Sequence, residues 1–314
     1  MTSQPLSVCV LGGTGFVGAA LVNRLTREGH WVRVPTRNRA HGESLRVLPT
    51  VELLEANVHD PGTLDRLVAD MDVVVNLIGI LNEHGRTTFH LAHAALADKL
   101  TAALKAARVR RLLQMSALGA AAQAPSRYLR SKHEAETCIR AATQLDFTIF
   151  RPSVIFGPGD TLTNRFASLL RLTGGFLPLA RARARFAPVY VGDVADAFMR
   201  VLTDRATFGQ TYELGGPEVM TLEQIVRLTA GQARLRCGIL RLPDPLGRLQ
   251  AAALGLLPGK PLTLDNFRSL TVDSVCGENG LARLGLTPHS MMEILPSYLS
   301  PAAVSKGFTG LGAI

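Results

Sequence analysis

Short apolar runs rich in β-branched residues alternate along the first half of the chain with longer stretches whose apolar positions recur every three or four residues. The runs Leu6 to Leu11, Trp31 to Pro35, Val51 to Leu54, Asp72 to Ile78, Arg111 to Ser116 and Phe147 to Phe150 predict strands. Between them, residues 15–28, 61–70, 87–107 and 127–144 predict helices. In the first helix Val17, Ala20, Leu21 and Leu25 share a face, and in the third Phe89, Leu96, Leu100, Ala103, Leu104 and Ala107 do the same. Strands apolar throughout, alternating with one-sided helices, imply an α/β architecture with a doubly wound parallel sheet covered on both faces. Its ligand site is then expected at the carboxyl ends of the strands.

The alternation stops at Arg151-Pro152, where Gly157-Pro158-Gly159, Gly174-Gly175 and Pro178 bring in loops. This divides the chain into a first region, 1–150, and a smaller second region, 151–314. The second region carries a strand-like run from Pro188 to Val191, a helical pattern from Asp193 to Leu202 and a turn at Gly215-Gly216-Pro217. Thr221 followed by Gln224 fits a capping box that opens a further helix. Residues Leu246 to Leu257, rich in Ala and Leu and carrying Arg248, read either as a helix docked within the smaller region or as an interfacial one.

With 47% hydrophobic and 19% charged residues the chain is excluded from intrinsic disorder. Asn76, Gly79 and Pro258 interrupt its longest apolar stretches below the roughly 18 residues of a membrane span. Met1 to Leu6 lacks a basic leader region, so a cytoplasmic location is expected, with peripheral attachment at the inner face of the cytoplasmic membrane left open. Cys9, Cys138, Cys237 and Cys276 are too scattered for a zinc site or a disulfide framework, and His90 and His93 lack a third ligand, so no metal is expected. The formal charge of +9 comes mainly from arginine. It divides almost equally between residues 1–150 and the rest and is joined by no nucleic-acid motif, so no nucleic-acid partner is expected.

The sharpest motif is Gly12-Gly13-Thr14-Gly15-Phe16-Val17-Gly18, between the first strand and the first helix. Gly12 allows a tight turn, Gly15 lets the backbone approach a pyrophosphate, and Gly18 permits close helix packing, while the helix start offers unpaired N–H groups. This context points to dinucleotide binding. Where NAD-binding sheets usually carry an acidic residue after the second strand, this chain has Thr36-Arg37-Asn38-Arg39. The guanidinium of Arg37 suits a 2′-phosphate, which favours NADP(H) over NAD(H). Tyr128 and Lys132 stand one helical turn apart, where the ammonium is expected to lower the phenol pKa and let the pair exchange a proton with a carbonyl or alcohol. Arg165, Arg171, Arg181, Arg183 and Arg185 occur with no acidic residue among them, as a solvated face or as a site for an anion, a headgroup or an acidic partner.

The stretches GGTGFVG, YLRSK, RPSVIFGPGD and PVYVGDVADA resemble the extended, atypical short-chain dehydrogenase/reductase superfamily. NLIGIL, QMSALGA and SRYLRSK are similar in particular to the nucleotide-binding alpha subcomplex subunit 9 family of respiratory complex I and its bacterial relatives. The resemblance implies a Rossmann-type domain completed by about 189–203, with the remainder forming a smaller substrate-side domain. It places Gly12, Thr14, Gly15, Phe16 and Gly18 at the pyrophosphate, Arg37 at the adenosine phosphate, Asn57 and Val58 at the adenine, and Gly79 along the dinucleotide path. Tyr128 and Lys132 would flank the nicotinamide. Active members of the superfamily usually carry a serine or threonine just past the fifth strand, whereas here Ser116 is followed by Ala117-Leu118-Gly119, so that Ser116 stands one or two residues early. Two function classes are therefore compatible with the chain. One is an accessory or assembly protein that holds the nucleotide as a structural or redox-sensing ligand, with complex I or another protein complex as partner. The other is an NADPH-dependent reductase or nucleoside-diphosphate-sugar epimerase or dehydratase using Tyr128, Lys132 and Ser116.

Overall fold

A computed structural model describes residues 4–300. Met1 to Ser3 of the leader reading, and the last fourteen residues of the region assigned to 151–314, lie outside the described residues. The central sheet has seven parallel strands: β1 (Ser7–Leu11), β2 (Trp31–Thr36), β3 (Val51–Glu55), β4 (Val73–Asn76), β5 (Arg111–Met115), β6 (Asp146–Pro152) and β7 (Gln210–Leu214). Their spatial order is β7-β6-β5-β4-β1-β2-β3, the doubly wound arrangement expected from the alternation of strands and helices. The order reverses between β1 and β4, and it is above the carboxyl ends of these two strands that a sheet of this kind places its ligand crevice.

Side-chain alternation along β1 explains the two cores. Val8 and Val10 face one side, where they pack with Leu21, Val22 and Leu25 of α1 (Phe16–Arg27). Cys9 and Leu11 face the other side, against Leu64 and Leu67 of α2 (Thr63–Val68), Leu100 and Leu104 of α3 (Ala94–Ala107) and Ile139 of α4 (Arg127–Ala141). The single helix expected over 87–107 is broken at His93, and a short helix, Phe89–Ala92, precedes α3.

The second half adds α5 (Thr161–Leu172) and α6 (Val191–Arg200), the latter packing Val194 and Phe198 into the core of α1. The run Pro188 to Val191 forms only a two-residue strand, Val189–Tyr190, paired with Ile155–Phe156 outside the main sheet. The strand that extends the sheet beyond β6 is instead β7, whose Thr211, Tyr212 and Leu214 gave too short a pattern to be picked out. The capping box at Thr221 and Gln224 forms with both halves present and opens α7 (Leu222–Gln232). Then come α8 (Asp244–Leu254) and α9 (Leu264–Ser269). Within PVYVGDVADA, buried Asp193 accepts bonds from the His289 backbone N–H at 2.7 Å and from its imidazole Nδ1 at 2.6 Å, tying the late segments to α6. No helix among the described residues is long and apolar enough to cross a membrane.

Candidate functional site

The glycine motif forms the turn that its spacing predicts. Gly12 adopts φ +82°, and Gly15 starts α1 without any side-chain cap or acidic residue in the first turn. The first amide N–H groups of α1 are therefore free of an internal anion and face the crevice end with the positive pole of the helix. A Cβ at Gly18 would stand 2.2 Å from the Gly12 carbonyl oxygen and 2.6 Å from Gly13 Cα, so the helix can approach its own loop only through glycine. At exposed Gly15 the nearest atom would be 3.2 Å away, which leaves a cradle open to a bulky anion. Thr14 flanks this turn and approaches Gly42, where a Cβ would stand 3.2 Å from Thr14 Cγ2; Phe16, half-buried, opens the helix.

The loop after β2 borders the cradle. Asn38 caps the short 3₁₀ turn Arg39–Gly42, and Arg39 pairs with Glu55 at 3.5 Å. Arg37 is exposed, with no ion-pair partner among the described residues, and its charge adds to burial and Lys99, the larger causes, in lowering the pKa of His59. After β3, the Asn57 amide donates to Asp60 at 2.7 Å and its oxygen accepts from the His59 N–H, while Val58 is buried against the sheet.

Opposite, the ends of β4 and β5 carry a buried polar chain. Asn76 donates to the Gln114 oxygen at 2.9 Å, Gln114 donates to the Met115 carbonyl at 2.8 Å, and the Lys132 ammonium reaches the same carbonyl at 3.3 Å. Lys132 is 3% exposed, and burial drives its pKa down to about 8, partly opposed by Glu136. A Cβ on Gly79 would come within 3.0 Å of Lys132 Nζ, so a side chain there would obstruct the ammonium. Tyr128 is half-buried among Phe89 and His93, with ring centroids 5.9 and 5.7 Å away. Burial pushes its hydroxyl up to about 12. The expected lowering by Lys132 is not produced in this geometry, because burial dominates at the phenol and the ammonium is directed to Met115. The phenol is thus held protonated near neutrality. Ser116 Oγ is buried and has no hydrogen-bond partner among the described residues, and Ala117 and Leu118 after it are buried too.

Three residues to which the sequence assigned no part in this site, His93, Ser131 and Asp265, support the arrangement. The Ile80 N–H donates to His93 Nε2 at 3.2 Å, so the imidazole carries its proton on Nδ1, which faces Ser131 Oγ at 2.7 Å. Ser131 Oγ in turn donates to the Tyr128 carbonyl at 2.8 Å, linking the loop after β4 to the tyrosine helix. Asp265 of α9 accepts the N–H groups of Arg127 at 2.8 Å and of Tyr128 at 3.1 Å, capping α4 from 137 residues away. No short spacing could reveal that contact. Among the described residues no group of potential ligands could hold a metal ion, and His90 lies at the surface 3.5 Å from Glu134.

His93 has a pH consequence. Burial, with a smaller contribution from Lys132, drives its pKa from an ordinary 6.5 down to about 2, so the neutral imidazole is the native form. Below pH 6.5 the unfolded chain takes up a proton that the folded one refuses. Stability should therefore fall as pH drops through 6.5 and keep falling towards 2, by up to about 1.4 kcal/mol per pH unit from this group. Urea midpoints between pH 7 and pH 4.5 for the wild type and His93→Gln should show a shallower acid slope in the variant. Equal slopes would remove His93 as the cause.

Residues 12–204 match the model of a family described as NAD(P)H-binding. The chain belongs to that family. Among its relatives is the mitochondrial NADH dehydrogenase [ubiquinone] 1 alpha subcomplex subunit 9 of Arabidopsis thaliana, 33% identical over 300 residues that cover 90% of this chain and 74% of that protein. The ceramide reductase of Caulobacter vibrioides is 31% identical over 256 residues, covering 79% and 76%. The Bordetella bronchiseptica enzyme WbmF, solved with NAD+, shares the fold at a TM-score of 0.74 and 20% identity, over 97% of this chain and 94% of its own. The UDP-glucose 4-epimerase of Thermotoga maritima does so at 0.74 and 16%, over 96% and all of its chain. These neighbours share the Rossmann-type architecture.

Proposed function

We propose that the chain is an accessory-type protein that retains NADP(H) as a structural or redox-sensing ligand, with a membrane-associated assembly such as complex I as its partner. The observation that carries this reading is the run Ser116-Ala117-Leu118 after β5. The only hydroxyl in that run is buried and makes no hydrogen bond among the described residues, and the two positions after it are apolar, which argues against a donor held out beside Tyr128 for a substrate oxygen. Loss of such a donor typically costs a few kcal/mol of transition-state stabilisation. The similarity to complex I subunit 9 over nine-tenths of the chain supports the same reading. A location on the cytoplasmic side, peripheral to the membrane, belongs with it.

In this reading the free N–H groups at the start of α1 hold the pyrophosphate and Arg37 the 2′-phosphate. Asn57 and Val58 border the adenine, and Lys132 beside Gly79 holds the nicotinamide ribose. When bound, the dinucleotide supplies a hydride or an electron-pair sink; Tyr128 and Lys132 hold their protons beside it. The intact Tyr128 and Lys132 pair, and the similarity to a protein named ceramide reductase, favour a second reading as an NADPH-dependent reductase. There Tyr128 donates the proton to a substrate oxygen, and the buried ammonium steadies the phenolate left behind.

Arg37→Glu should weaken NADPH binding by at least tenfold and leave NADH within about threefold, read by fluorescence titration at fixed salt. An unchanged NADPH to NADH ratio would remove Arg37 as the selector. For the function itself, the purified chain should carry dinucleotide, show no carbonyl-dependent NADPH oxidation, and co-sediment with the membrane-bound NADH dehydrogenase of its own cells. Carbonyl-dependent oxidation that Tyr128→Phe abolishes, with NADPH still bound, would instead establish the reductase.

A further inference from the structure

Two stretches that the dinucleotide site does not use, residues 161–186 and 234–264, contribute α5, the parallel pair Phe176–Ala180 with Gly238–Leu242, and α8. They contain ten of the chain's 34 Lys and Arg residues but one of its 25 Asp and Glu residues. Their excess of nine equals the formal charge of the whole chain, and everything else balances to zero. The one acid, Asp244, is paired with Arg181 at 2.8 Å. Arg171, Arg183, Arg234, Arg236 and Arg248 are exposed, with no ion-pair partner among the described residues. Charge that divides evenly between the halves of the sequence is therefore concentrated in these segments of the fold.

The same flank displays large apolar side chains. α8 packs its inner side on the sheet pair through Gly247 and Ala251, where a Cβ on Gly247 would stand 3.1 Å from Ala180 Cβ. Its outer side exposes Leu246 (51%) and Leu249 (66%), followed just past the helix by Leu256 (88%). Cross-strand register puts Phe176 and Leu240 on the sheet face that also carries Ala180 and Leu242, which is the face that α8 covers. Beyond the helix these two remain 54% and 50% exposed. Exposed apolar side chains on the outer side of α8 and on the sheet face it packs against thus form one apolar flank in a cationic setting, a grouping that singly scattered surface leucines do not make.

We propose that this flank is the surface by which the protein lies on an anionic lipid bilayer, with α8 in the interface. A bilayer of that kind meets both features at once, admitting leucines into its acyl boundary and attracting guanidinium groups to its headgroups. A second copy would bring an equal cationic excess against the first, and the two flanks would repel. The proposal rests on the peripheral location inferred above but not on dinucleotide binding, and it names the surface responsible.

The test uses the full chain with saturating NADPH and sedimentation with vesicles. Vesicles of phosphatidylcholine and phosphatidylglycerol at 7:3 should retain the chain, pure phosphatidylcholine should retain at least tenfold less, and raised salt should release it. Leu249→Gln/Leu256→Gln and, separately, Arg236→Gln/Arg248→Gln should each reduce retention at least tenfold, with melting temperature and NADPH affinity unchanged. Wild-type retention by both variants, or no retention by the anionic vesicles, overturns the proposal. So does a concentration-dependent dimer, in sedimentation velocity, that the leucine variant abolishes. Fractionation of the parent cells separates the two claims: a chain found with membranes whose variants stay there is peripheral through another surface.

Discussion

Gly18→Ala should abolish measurable dinucleotide binding and lower the stability of the protein. The new Cβ would lie 2.2 Å from the Gly12 carbonyl oxygen and 2.7 Å from the Gly13 carbonyl carbon, both backbone atoms that no rotamer change can move aside. Relief requires α1 to rise off its loop or the Gly12 turn to open, and overpacking of this kind costs about 1–3 kcal/mol. Either movement withdraws the first N–H groups of α1 from the position where they meet an anion. Titration with NADPH should show affinity reduced by at least a hundredfold, and thermal melting should show a drop of several degrees. Gly15→Ala provides the contrast, because its Cβ meets only the Gly12 oxygen at 3.2 Å and otherwise projects into the cradle. It should lose affinity while keeping its melting temperature. Wild-type binding by Gly18→Ala would refute the cradle itself.

Arg151→Leu is expected to have the largest effect on stability, although it touches no ligand. Arg151 sits within the RPSVIFGPGD stretch at the end of β6 and donates twice to Glu136 of α4, at 2.8 and 2.6 Å. The Glu136 side chain is only 2% exposed, and its other ion-pair partner among the described residues, Arg140, stands off at 3.7 Å. Removing the guanidinium leaves a buried carboxylate poorly compensated, a change that costs about 3 kcal/mol or more. Because much of the penalty is the stranded charge, Glu136→Gln/Arg151→Leu should regain part of the loss. A second readout follows from Glu136 being one turn beyond Lys132, whose pKa it raises. A carboxylate freed from Arg151 should pull Lys132 upward from about 8, moving the alkaline limb of the NADPH affinity profile to higher pH. Urea midpoints of the three variants and that pH profile decide the matter; an Arg151→Leu protein as stable as wild type would show that the pair contributes nothing.

What could be read from residue order has a common physical basis. β1, α1 and the glycine turn lie within 21 consecutive residues, and their signals are local: period-two burial, a one-sided helix, and glycine where backbone must pass backbone. The spacing of Tyr128 and Lys132 is local in the same way, and the fold directs Lys132 to the Met115 carbonyl at the end of β5 while Tyr128 packs against Phe89 and His93. Where the sequence-based expectation failed, burial was the cause, since the environment that raises the Tyr128 pKa and lowers that of Lys132 is built by chains distant in sequence. His93 gave only a spacing compatible with metal, and its hydrogen bonds to Ile80 and Ser131 exist because α3, α4 and the loop after β4 converge.

By itself, then, the order of residues determined the parallel sheet, the cradle between β1 and α1, and the pairing of a tyrosine with a lysine one turn later. Each follows from periodicity or steric need within a single element and its immediate turn. Only the tertiary structure decided that Ser116 is buried, that Asp265 caps the tyrosine helix, and that the net charge gathers beside an exposed apolar flank. Those outcomes depend on which distant segments desolvate or approach one another, and neither desolvation nor approach is encoded in local spacing.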